Sequence, residues 1–73
     1  MYGTSIEVDA QQHLLAQRRR LTTDRLVEAR SRFRLLSDAE SMDIRELRRT
    51  ARLVYDLELE RGALARAIEE FAR

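Results

Sequence analysis

Residues 47–71 read LRRTARLVYDLELERGALARAIEEF. Leu47, Thr50, Val54, Leu57, Arg61, Leu64, Ile68 and Phe71 recur there at alternating steps of three and four. At 3.6 residues per turn these steps bring all eight positions onto one stripe of an α-helix, with Arg61 as the one charged break. Such a stripe has to be covered by another helix. Ile44, Ala51, Ala65 and Ala72 widen it on one side, and Leu53 and Ala67 on the other. The apolar arc then spans about half the circumference, more than one partner helix covers. A second helix is therefore predicted over residues 44–72, with apolar surface to spare.

The segment before it, 37–43, holds two helix-start signatures. Ser37-x-x-Glu40 and Asp43-x-x-Glu46 both have the form of a capping box, and Met42 with Leu47 could form a hydrophobic staple. Two start signals so close predict a turn, with one loose helical turn between Asp38 and Ser41. Neither Pro nor Gly lies in 37–43, so the fold-back rests on the capping chemistry alone. The acidic set Asp38, Glu40 and Asp43 lacks the spacing and central glycine of a calcium loop, and capping accounts for it better.

Upstream, Thr4-x-x-Glu7 is a third capping box and predicts a first helix over residues 5–36. Val8, Leu15, Thr22, Ala29 and Leu36 lie seven apart on one row; Leu14, Leu21 and Leu35 flank it on one side, Leu26 and Phe33 on the other. Glu28 and Arg32 have the spacing of an (i, i+4) ion pair. Gln11, Arg18, Arg25 and Arg32 form a further row of sevens inside the apolar arc. One reading has their stems packing on the seam while the heads reach water or a carboxylate. The other has Arg18, Arg25 and Arg32 facing an anion or an acidic partner.

Two helices of about thirty residues joined by a short link predict an antiparallel, coiled-coil-like hairpin, all-α, forming a single domain over residues 1–73. A fold-back centred near residue 40 pairs Phe33 with Leu47, Leu26 with Val54, Leu15 with Leu64 and Ala65, and Val8 with Phe71 or Ala72. It also sets Arg18 opposite Gly62, which suggests that the glycine makes room for the arginine stem, with Glu58 as its charge partner. Four-helix-bundle completion, by dimerisation or by a partner protein, would cover the remaining arc.

Composition narrows the function classes. A chain of 73 residues without cysteine has no disulfide or thiolate metal site to support a small core, and a single histidine, His13, provides no cluster of ligands. No cofactor and no metal is expected. No catalytic set is visible: His13 projects away from the apolar stripe, and none of the serines has a histidine neighbour to act as its base. There is no Gly-rich phosphate loop, and no apolar run spans a membrane. The N-terminus lacks a basic region followed by an apolar one, so no signal peptide is expected and a cytoplasmic location is the default. All fourteen basic residues are arginine, which fits a GC-rich bacterial or phage genome.

The expected function is non-enzymatic protein–protein interaction, by a small adaptor, chaperone-like or regulatory protein. Leu53, Leu57, Leu64, Ala67 and Phe71 are the candidate partner-binding residues, and the partner is a second copy or another protein. A subunit ordered only within a larger assembly is a related case. The alternative is nucleic-acid binding through helix 1, where seven arginines stand against four acidic residues, although net charge is only +1. The Ala63–Phe71 stretch, with its Ala-Leu-x-x-Ala-Ile, resembles the second helix of the small hairpin co-chaperones of type III secretion needle subunits. That resemblance covers nine residues and implies a partner held against the hairpin; no site residue is carried over from it.

Overall fold

A computed structural model describes residues 2–40 and 43–72. The described residues form two helices, α1 (Tyr2–Asp38) and α2 (Ile44–Ala72), and no strand. They fold back on each other as an antiparallel hairpin 61 Å long and about 15 Å across. The bounds of α2 are those read from the sequence. Those of α1 are wider at both ends, because the cap residues of two of the three boxes, Thr4 and Ser37, lie inside the helix. Thr4 is already helical, two residues past the start of α1. Ser37 sits in the last turn, where its hydroxyl donates to the Phe33 carbonyl at 2.8 Å instead of capping a new helix.

Asp43 is the true start signal. Its Oδ1 accepts the amides of Arg45 at 3.1 Å and Glu46 at 3.3 Å, and its carbonyl accepts the Leu47 amide at 2.9 Å, the first intrahelical bond of α2. The reciprocal half of the box is not made. The Glu46 carboxylate turns outward to Arg32 at 3.2 Å and Arg49 at 3.5 Å. Met42 and Ser41, and with them the staple and the end of the expected loose turn, lie outside the described residues; Ala39 and Glu40 are not helical.

The heptad seam of α2 is the face that packs on α1. Leu57 and Thr50 are buried, and Leu47, Val54, Arg61, Leu64 and Ile68 are half-buried. Opposite them Leu26 is fully buried and Thr22 and Ala29 nearly so. Leu26, Ala29 and Leu57 form the centre of the core, with Val54 packed against it. Val54 thus lies at the cluster that holds Leu26, its expected partner. Towards the turn Phe33 lines a groove with Ala51 and Val54, while Arg32 beside it reaches Glu46, the residue before Leu47.

Ion pairs clasp the seam from both flanks. Arg18 Nε reaches Glu60 Oε1 at 3.2 Å and Arg32 Nη2 reaches Glu46 Oε2 at 3.2 Å; on the other flank Arg30 Nη2 reaches Glu58 Oε1 at 2.7 Å. The expected partner of Arg18, Glu58, is therefore taken by Arg30, and Arg32 turns across the seam rather than along α1 to Glu28. Each pair is largely exposed and stabilises by only ~0.2–1 kcal/mol, so these contacts set register more than they add stability. Gly62 makes no room for Arg18: a methyl built on it would meet only Arg66 Nη1, at 3.8 Å.

Candidate protein-binding face

The flank of the hairpin that carries Arg18 and Arg32 is built from two facing rows. Seven-residue steps back along α1 lead from Arg32 to Arg25 to Arg18, and seven-residue steps forward along α2 lead from Glu46 to Leu53 to Glu60. Antiparallel packing sets these rows rung against rung. The outer rungs are the ion pairs Arg32–Glu46 and Arg18–Glu60. In the central rung Leu53 stands where a glutamate would complete the ladder. Arg25 has no ion pair among the described residues.

Apolar surface surrounds that gap. Leu53 is 50% exposed, and Leu14 and Leu21 on the neighbouring row of α1 are 62% and 53% exposed. Two shallow grooves meet at Arg25. One runs towards Leu14 and Leu21 past Thr22 and Glu60; the other runs towards Leu53 and Leu57 past Glu28, Ala29 and Arg32. The face is thus an apolar strip crossed by one cation without an in-chain partner and bordered by two neutralised pairs.

The residues named from sequence divide on this surface. Leu53 lies in the middle of the strip, and Phe71, at 36% exposure, remains accessible near the end of α2. Leu64 and Ala67 are half-buried along the seam. Leu57, at 6% exposure, belongs to the core with Leu26 and Ala29 and meets the strip only at the floor of its groove. Arg18 and Arg32 snorkel onto carboxylates of α2, whereas Arg25 reaches none. Leu14 and Leu21 were not among the candidates, although their row of sevens with Leu35 is visible in the sequence; Glu28 interrupts that row, and Leu53 fills the interruption from α2.

A third groove lies on the opposite flank near the turn, lined by Arg30, Phe33, Arg34, Ser37, Ala51 and Val54. Among the described residues no group of three or more acidic, histidine or cysteine side chains is placed to hold a metal, and no helix is long and apolar enough to cross a membrane. Comparison with family models, with curated proteins and with solved structures returns no match to this chain. The likeness of Ala63–Phe71 to secretion co-chaperones therefore carries no assignment.

Proposed function

We propose that this protein is a non-enzymatic interaction module that binds a protein helix on the strip formed by Leu14, Leu21, Leu53 and Arg25. The observation that supports this reading most is the apolar strip itself, broad and exposed beside a core of three buried apolar side chains among the described residues. A folded monomer of 8.6 kDa exposes about 4,700 Å² by the usual size scaling, whereas this hairpin exposes 6376 Å². The excess exceeds the roughly 800 Å² that each partner contributes to a standard protein interface. A helix laid in the groove would complete a bundle, as amphipathic helices do in apolar grooves generally.

Nucleic-acid binding by α1 has less support. Of its seven arginines, Arg18, Arg30 and Arg32 are already paired with glutamates of α2.

Three single variants test the reading. Leu21→Asp and Leu53→Asp place a charge in the strip; Val27→Asp places one on the far side of α1, where Val27 is equally exposed. Tagged wild-type protein is expected to retain a protein partner, another copy or a different chain, from an extract of the source cells. Both strip variants should lose it and Val27→Asp should keep it, with little change between 50 and 200 mM salt. Nucleic-acid binding would instead weaken about a thousandfold or more over that range if several phosphates were contacted. Equal retention by all three variants would refute the reading.

A further inference from the structure

We propose that the occupant of this face is a second copy of the chain, seated so that each Arg25 pairs with Glu28 of the other copy. The inference rests on the protein-binding role proposed for the strip and names its partner. Charge is what selects a second copy. Arg25 and Glu28 lie one helical turn apart on α1 and line the same groove. Neither forms an ion pair within the chain, among the described residues. Two opposite charges one turn apart are self-complementary when the helix meets an antiparallel copy of itself. A two-fold axis passing midway between them brings Arg25 onto Glu28 and Glu28 onto Arg25 at once, which is the reciprocity an isologous interface requires. The rung left open inside one hairpin is thereby closed by the other.

The rest of the strip agrees with that axis. Leu53 stands across the seam from Arg25, close to the axis, so it meets its own copy and buries the most central exposed leucine. Moving outward along α1, the axis sets Leu21 against Arg32 of the second copy, whose aliphatic stem can lie over the leucine while its head stays on Glu46. Arg18 is set against Leu35 in the same manner, with its head on Glu60. Like charges that come near one another across the interface, Arg18 and Arg32, each bring their own carboxylate. The result is a four-helix bundle whose two turns lie at opposite ends.

The experiment uses two charge reversals of the full chain, Arg25→Glu and Glu28→Arg, each checked for helicity by circular dichroism. Molar mass is measured by sedimentation equilibrium for wild type, for each variant alone and for an equimolar mixture. Each variant alone sets like charges against each other in both reciprocal pairs, and its dimer is expected to weaken by about tenfold or more. In the mixture the Arg25→Glu chain presents two carboxylates at this rung and the Glu28→Arg chain two guanidinium groups. Both facing pairs are then of opposite charge, so the mixture is expected to recover a dimer, now of mixed composition. The doubly reversed chain, Arg25→Glu with Glu28→Arg, should dimerise like wild type. A wild-type dimer indifferent to both reversals, or a mixture that stays as dissociated as its components, would overturn the pairing while leaving the strip a protein-binding face. A wild-type chain that is monomeric yet retains a different protein through Leu21 and Leu53 would overturn the second copy as occupant. Loss of all partners, self included, would instead bring down the broader reading.

Discussion

Gly62 is the residue at which the sequence register and the packing part most clearly. The register sets Arg18 across from it and suggests a glycine that conserves space; in the folded hairpin Arg18 leans to Glu60, and nothing but the far end of Arg66 lies near the position a methyl would take. No glycine among the described residues has a positive φ, so no backbone reason for glycine remains. Gly62→Ala is therefore expected to stabilise by about 1 kcal/mol, through the higher helix propensity of alanine and a less flexible unfolded chain. For a domain of this size that raises the midpoint of thermal unfolding by roughly 4–8 °C. A fall in the midpoint would mean that the Arg18 stem does need the gap. Side-chain detail of this kind was only half legible. The step of seven showed that Arg18, Arg25 and Arg32 share a row and snorkel or seek an anion. It did not show which glutamate each would meet, because Glu58 and Glu60 lie about 200° apart on α2, on opposite flanks of the seam, and the step of seven does not say which flank the arginine row takes. That Leu57 is buried among core residues was not legible for a related reason. The arc of α2 is wide enough for two partners, and periodicity alone does not say which half the hairpin uses.

At the scale of the helix, the structure chooses between start signals that look alike in sequence. Ser37-x-x-Glu40 and Asp43-x-x-Glu46 have the same form. A serine can instead satisfy its hydroxyl on the carbonyl four residues back and stay helical, as Ser37 does on Phe33. Asp43 accepts two amides that would otherwise lack partners. Asp43→Ala is accordingly expected to lose about 1 kcal/mol of stability in denaturant unfolding, and Asp43→Asn to retain most of it. Ser37→Ala should be nearly neutral or slightly stabilising, since it removes only a back-bond inside α1. A larger loss from Ser37→Ala than from Asp43→Ala would contradict the assignment of the turn. The existence, type and pairing of both helices were legible because long periodic stretches without Pro leave few alternatives. The end of α1 was not, because a capping motif marks an opportunity that the rest of the fold either takes or declines.

At the scale of the whole molecule, two long helices meet along one seam and enclose little. Among the described residues Leu26, Ala29 and Leu57 are the buried apolar ones, while Leu14, Leu21, Val27, Leu35, Leu53 and Leu59 stay more than a third exposed. A chain of 73 residues with so small a core falls where oligomerisation usually supplies the missing burial. On this account, folding of the hairpin and closure of the Leu21–Arg25–Leu53 face over a second copy are coupled, so assembly and helicity depend together on protein concentration. The most direct measurement is molar mass by light scattering, with circular dichroism on the same samples, over a hundredfold dilution of the wild-type chain. The expected result is a mass twice that of the 8.6 kDa chain at the upper concentrations, with mass and helical signal falling together on dilution. A single-chain mass with full helicity at every concentration would show that one hairpin suffices by itself and would contradict the account.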